Sequence, residues 1–299
     1  MRHRLLRPID LASVDHCCWT NRYQPARNQG PIGTCTAHAL VAVVEGQLGT
    51  PGNDSEAFLY GRTKAIDSFP NTDGSSLAFG LEALLRWGVC QEELWPYRTD
   101  RDYLLSEPSA DAFQDARHLR PDRNTAMLLP PRDTDLLRAL LVGGLPVAIA
   151  VPIFESLQHS LLFHGRGQFT MRLGEDDPPV GYHALCVVGW FTNAWLTARG
   201  FSEQPGGGVF LIRNSWGSEW AQRNPLAESL HFGGGYALTP FKFWESFGME
   251  ACTVPIPTQT TSAASRIGAA CQKWWSGITG NFTAAASSRL LSGLSQRVK

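Results

Sequence analysis

The hydrophobic period changes once along this chain, near residue 145, and that change restricts the fold more than any other feature. Before it, apolar residues recur at helical spacing. One such run extends from Cys35 to about Leu48 and meets stop signals at Gly49, Pro51 and Gly52. A second spans Ser55 to Ile66, with Phe58, Leu59 and Ile66 as its apolar positions. A third, Leu77 to Trp87, carries Leu81, Leu84 and Leu85 and is closed by Gly88; a fourth, Thr134 to Val142, ends at Gly143 and Gly144. Beyond that point the apolar stretches are short and β-branched: Pro146–Val151, Ala184–Trp190, Val209–Arg213, and Tyr236–Leu238 after a glycine run. Residues 67–76 read as a loop, and 98–134, charged and proline-bearing, as a crossover between two halves. A helical first half and a sheet-rich second half predict an α+β protein of two lobes.

With 299 residues, 43% of them hydrophobic and 18% charged, the chain can build a large core. A net charge of −1 excludes a body that binds nucleic acid through a general basic excess. Five of the 26 Lys and Arg residues, and none of the 27 Asp and Glu, follow Glu250. The tail is therefore basic and the body acidic. No run reaches the roughly 18 apolar residues of a membrane-spanning helix. The start, MRHRLLRPID, lacks the apolar stretch of a secretory signal. Seven scattered cysteines without metal-ligand spacing read as mostly reduced, with no metal or cofactor called for. A cytoplasmic location, or export without a signal peptide of the usual kind, is expected.

Gln29–Leu40 reads QGPIGTCTAHAL, and Cys35 stands where a glycine-containing turn gives way to a helix-compatible run. A cysteine in the first turn of a helix feels the positive end of the macrodipole, which favours thiolate. Gln29 can return an amide donor to the same point. On this stretch alone, a buried structural cysteine is the simpler reading; a chemical role needs a base and a group to orient it. Of eight histidines, His183 is placed for that, in Gly181-Tyr182-His183-Ala184 at the mouth of a strand. There it can take a thiol proton to form a thiolate–imidazolium pair. Asn214, in Asn214-Ser215-Trp216-Gly217 after another strand, can accept the second ring N–H, with Trp216 shielding that bond.

These residues resemble the papain-like cysteine peptidases. The match is carried by Gln29-Gly30, Gly33-Thr34-Cys35, Trp95-Pro96-Tyr97, Gly181-Tyr182-His183-Ala184, Asn214-Ser215-Trp216-Gly217-Ser218-Glu219-Trp220 and Gly235-Tyr236. It runs from about Pro25 to Pro255, closest in flavour to a bacterial and viral branch. The resemblance implies Cys35 as nucleophile, His183 as general base and acid, Asn214 as its orienter, and Gln29 with the Cys35 N–H as oxyanion hole. It implies Trp216 as a lid on the Asn–His bond, and a substrate strand laid along Asp73-Gly74-Ser75, with Tyr182 nearby. The expected fold is a helical left lobe and a sheet-rich right lobe with the site in the cleft between them. Three sections are expected: an arm at 1–28, a peptidase domain at 29–255 (helical lobe about 29–105, sheet lobe about 106–255), and a basic Ala/Ser/Thr-rich tail at 256–299.

Departures from the family's pattern are local. Ile32 stands where secreted members carry a disulfide cysteine, Thr36 replaces the usual Trp after the nucleophile, and Tyr182 replaces a common acidic residue. Residues 1–28 and 191–208 are both candidates to cover the cleft. The expected activity is endopeptidase cleavage of a polypeptide through an acyl-thioester on Cys35. The alternatives are a papain-fold acyltransferase and a catalytically silent binding protein; intact Gln29, Cys35, His183 and Asn214 weigh against the last. The tail offers a weak contact for an anionic membrane or a partner. The sequence sets no oligomeric state.

Overall fold

The computed structural model describes residues 10–48, 51–69, 71–172, 174 and 176–256. The tail expected at 256–299 lies outside the described residues, Ile256 apart, as do the first nine residues of the arm.

The helical part comprises α1 (Cys35–Glu45), α2 (Glu56–Lys64), α3 (Leu77–Trp87), α4 (Arg101–Leu105) and α5 (Ala110–Ala116). Every α1 residue from Thr36 to Glu45 is buried. A helix buried on every side belongs in the middle of a protein, and α1 packs on α2 and α3 on one side and on the sheet on the other. Its Leu40, Val41, Val43 and Val44 share one core with Ala148, Cys186 and Val188 of the sheet. The two following helices begin at serine caps: Ser55 Oγ accepts from Phe58 N at 3.0 Å and Ser76 Oγ from Phe79 N at 3.4 Å. Gly88 ends α3 at φ 81°, where a Cβ would meet Ala116 O at 1.9 Å, so only glycine fits that turn. The crossover at 98–134 is more ordered than expected; it contains α4 and α5, each under a capping side chain, Asp100 and Ser109.

The strands are β1 (His16–Cys18), β2 (Met127–Leu128), β3 (Val147–Phe154), β4 (Pro179–Thr192), β5 (Gly208–Arg213), β6 (Tyr236–Pro240) and β7 (Glu250–Thr253). They form one antiparallel sheet in the order β2-β7-β3-β4-β5-β6, with β1 also paired to β4. The fold is α+β with a helical lobe and a sheet lobe. The sequence places His183 at the mouth of a strand, but β4 begins four residues earlier. Pro179–Tyr182 are largely exposed and show no alternation, yet pair with β3, leaving His183 opposite Val151. Cys186 lies opposite Arg213, so Asn214, the next residue after β5, emerges at the same end of the sheet as His183.

The other end of β4 holds part of the arm and the segment 191–208. β1 pairs with Gly189–Phe191, and residues 191–208 turn there through a short helix, Asn193–Thr197. Eight residues of strand separate Phe191 from His183, roughly 26 Å. Residues 16–18 and 191–208 therefore lie away from His183, whereas the end of the 1–28 arm runs beside the site, Asn28 bridging to Trp216 and Arg27 O accepting from Gly217 N at 3.0 Å.

Candidate active site

Cys35 is the first residue of α1 and half-buried, and the nearby backbone amides of Ala184 and Thr36 favour its thiolate. Ala184 follows His183, and α1 packs on β4, which brings the start of α1 to the strand that carries the imidazole. Thr34, before Cys35, gives α1 no side-chain cap; its hydroxyl is engaged elsewhere.

His183 is buried, with Nε2 2.7 Å from Asn214 Oδ1. The Ser215 backbone N–H donates to the same oxygen at 2.8 Å. A backbone N–H can only donate, so the amide atom it meets is oxygen, and His183 Nε2 carries the hydrogen. In the neutral ring Nδ1 is then the free lone pair. Trp216 stacks over this imidazole at 4.7 Å and 21°, and Phe163 and Trp220 meet the indole edge-on at 5.5 and 5.2 Å.

Burial is the largest influence on both groups. It pushes the Cys35 thiol up, against backbone donors that pull it down. It pushes the His183 ring down to about 4, the bond to Asn214 opposing it. Each group on its own is favoured neutral. The donors at the helix start pull toward thiolate and desolvation pulls against them, so a charged Cys35–His183 pair depends on each group being the other's partner.

Gln29 is held at both ends of its amide. Oε1 accepts from Ser215 Oγ at 2.5 Å, Nε2 donates one hydrogen to Ile32 O at 2.9 Å, and the backbone N donates to Ser215 O at 2.8 Å. Tyr97 OH donates to Gln29 O at 2.7 Å, so at 2.7 Å from Thr34 Oγ1 it must accept. Ile32, in the place of a disulfide cysteine, packs in the core, and Cys17, Cys18, Cys35, Cys90, Cys186 and Cys252 are free.

The loop Asp73-Gly74-Ser75 is tied to this turn. Thr36 Oγ1 donates to Ser75 O at 2.8 Å, Tyr60 OH to Asp73 O at 3.0 Å and Lys64 Nζ to Gly74 O at 3.3 Å. A Cβ on Gly33 would lie 3.0 Å from Gly74 N, whereas one on Gly74 would meet nothing within 4 Å. The loop thus presses on the cysteine turn from one side and borders open space on the other. The structure brings Gln29, Cys35, His183, Asn214 and Trp216 together, with Gly74 and Ser75 alongside. Tyr182 is 65% exposed, and alternation along β4 sends its ring to the face opposite His183.

Three supporting residues are missed by the sequence reading although each lies in or beside a quoted motif: Ser215, Tyr97 and Thr34. Behind them lies a buried ionic cluster that composition alone cannot show. Arg27 meets Glu56, and Glu45 at 3.3 Å and Glu92 at 3.6 Å, and donates to Asp54 O at 2.6 Å. Burial, with neighbouring carboxylates adding to it, raises Glu45 and Asp54 to about 7. Among the described residues no cluster of three or more His, Cys, Asp or Glu is arranged to hold a metal ion.

The family model described as papain family cysteine protease matches residues 12–224. A peptidase C1-like protein of Acanthamoeba polyphaga mimivirus is 24% identical over 72% of this chain and 64% of its own length. A thiol protease of Hemerocallis is 25% identical over 66% of this chain and 48% of its own. The chain thus spans between about half and two thirds of these curated relatives. Among solved structures, xylellain, a cysteine protease from Xylella fastidiosa, superposes with a TM-score of 0.65 at 22% identity, covering 85% of this chain and 90% of that one. A cysteine protease of Carica candamarcensis, in complex with E-64, gives 0.53 at 18% identity, covering 81% and 98%. With its fold shared with these proteases and most of its length matched by the family model, the chain belongs to the papain family of cysteine proteases.

Proposed function

We propose that this chain is a cysteine endopeptidase that hydrolyses peptide bonds through an acyl-thioester on Cys35. One observation carries the reading: His183 is held by Asn214 in the tautomer that leaves Nδ1 free, on the strand against which α1, with Cys35 at its start, is packed. The thiol proton passes to Nδ1 as Sγ attacks the substrate carbonyl carbon. Charge then forms as a pair, each half the other's partner, which suits a site where neither charge is favoured alone. The carbonyl electron pair moves to oxygen, where the second Gln29 Nε2 hydrogen and the Cys35 N–H can receive it. Such a donor contributes about 3 kcal/mol to the transition state.

Collapse of the tetrahedral species breaks the C–N bond. The leaving amine takes its proton from Nδ1, and the acyl group stays on Sγ. Water, deprotonated by the same nitrogen, attacks the thioester; a second collapse releases the carboxylic product and returns the proton to sulfur. The open space beside Gly74 suits an extended polypeptide paired through its backbone.

The test is labelling with iodoacetamide or an epoxide at mildly acidic pH. Cys35 should react well ahead of the other cysteines, and Cys35→Ala should abolish turnover of a peptide substrate while leaving the fold intact. Equal labelling of several cysteines would defeat the reading, and products carrying an added amine in place of water would redirect it to acyl transfer.

A further inference from the structure

The polar groups beneath the site form a chain that closes on itself except at one point. From Gln29 Oε1 it runs to Ser215 Oγ, and from Ser215 N to Asn214 Oδ1. From Gln29 O it runs the other way through Tyr97 OH and Thr34 Oγ1 to His38, whose Nδ1 lies 3.3 Å from that hydroxyl and 3.1 Å from Thr34 O. A carbonyl can only accept, so His38 Nδ1 carries a hydrogen, and Nε2 of the neutral ring is an acceptor. Burial keeps that ring neutral, pushing it down to about 3. The two chain ends are thus Asn214 Nδ2, a donor, and His38 Nε2, an acceptor. Both atoms are buried and have no hydrogen-bond partner among the described residues.

Both residues line one cavity of about 10 Å³, together with Glu45 and Arg213 among others. That is room for a single water molecule in polar surroundings, the setting in which buried water is found. His38 also lies close enough to His183 for a charge on it to be felt there.

We infer that one buried water occupies this cavity, accepts from Asn214 Nδ2 and donates to His38 Nε2, and so makes His38 a positioning residue for the Asn214–His183 pair. The closed ring then holds the amide of Asn214 from both ends: Oδ1 by Ser215 and His183, Nδ2 by the water and His38. It also joins the Gln29 backbone to the Asn214 side chain, so that the oxyanion donor and the orienter are set by one network. The role in turnover rests on the peptidase reading above; the water itself does not.

An atomic-resolution crystal structure of the full chain should show a solvent peak within hydrogen-bond distance of both atoms. Turnover is then compared in His38→Leu, which removes the acceptor, and His38→Gln, which returns one through its amide oxygen. Loss of one buried hydrogen bond should lower kcat of the Leu variant about five- to tenfold with KM unchanged, and the Gln variant should recover to within about twofold. Thermal melting of both variants separates this from a loss of fold. A cavity without density, or folded Leu and Gln variants of equal kcat, overturns the proposal. Should the wild-type chain cleave no peptide, the peptidase reading fails, while the solvent peak still decides whether the ring is closed through water.

Discussion

The imidazole of His183 is locked to the side-chain oxygen of Asn214 at 2.7 Å, and the Ser215 N–H fixes which atom of that amide is the oxygen. The bond does more than orient the ring. It determines that Nε2 bears the hydrogen, so that the nitrogen left to exchange protons with Cys35 is Nδ1. It also works against burial, raising the affinity of the ring for a proton that desolvation would otherwise refuse.

Replacing Asn214 by Ala removes both effects. A hydrogen bond to a group that becomes charged contributes about 1.5–3 kcal/mol, so kcat should fall about tenfold to a hundredfold. The wild-type kcat/KM should fall away below about pH 4, where Nδ1 takes a proton from solvent and can no longer accept one from the thiol. Without Asn214 the ring's pKa drops further, so this limb should move to lower pH even as activity declines. A limb that stays put in the pH profile of the Ala variant would show that the bond does not tune the ring.

Ser215→Ala tests the hold on Gln29. The substitution strips Gln29 Oε1 of its 2.5 Å donor and leaves a buried carbonyl oxygen unpaired, at a cost of about 1–3 kcal/mol. The amide then has one tether, the bond from Nε2 to Ile32 O. Because an oxyanion donor acts in the transition state, the loss should be in kcat, about tenfold, with KM within twofold. Steady-state kinetics separates this from a binding defect, which would raise KM instead.

The difference in legibility between Gln29 and Ser215 is instructive. Cys35, His183 and Asn214 can be found in the sequence because each sits at a change of local structure that leaves a mark: a glycine turn before a helix, or the edge of an apolar strand. The principal helices and four strands follow from period alone. Ser215, Tyr97 and His38 leave no such mark, since their roles come from atoms far apart in the chain; Tyr97 reaches Gln29 across 68 residues. The ionic cluster is hidden for another reason. No local pattern marks Arg27, Glu45 and Glu56 as partners, and only the packing of α1 against α2 and the sheet shows Glu45 and Glu56 buried to 1% and 3% exposure. Pro179–Tyr182 show no alternation because they are exposed, so the true start of β4 has no sequence signature.

Gly33→Ala should weaken substrate binding without touching a chemical group. The new Cβ would stand 3.0 Å from Gly74 N and 3.2 Å from Asp73 C, and backbone atoms do not yield as a side-chain end does. The loop must shift away from the cysteine turn, at a cost of about 1–3 kcal/mol typical of overpacking. KM for extended peptides should rise several-fold while the rate of Cys35 alkylation by a small reagent stays near wild type. Chemical denaturation and single-substrate kinetics check the two halves; a slowed alkylation with unchanged KM would place the damage at the thiol instead.

Glu45→Gln bears on how stability depends on pH. Glu45 is held at about 7 in the fold against an ordinary value of 4.5, chiefly by burial and then by Glu56, with Arg213 and Arg27 opposing. A carboxyl raised on folding binds its proton more readily folded than unfolded, so its contribution is fully present below about pH 4.5 and is lost as the pH rises through 7. His38 and His183, lowered to about 3 and 4, act in the opposite sense: their contribution is present above the unfolded value of 6.5 and disappears as the pH falls through the folded values. The two slopes oppose each other between about pH 4.5 and 6.5, which should flatten the wild-type curve there. Glutamine cannot titrate, and Glu56 and Glu92 remain to pair Arg27. Urea unfolding at pH 5 and pH 8 should show the wild type losing about 2–3 kcal/mol more than the Gln variant over that interval. In the variant the histidine term is partly uncovered, so its stability should climb more steeply from pH 4 to 6.5. Identical pH dependence in the two proteins would mean that Glu45 is ionised in the fold at both pH values and that Arg27 and Arg213 outweigh its burial.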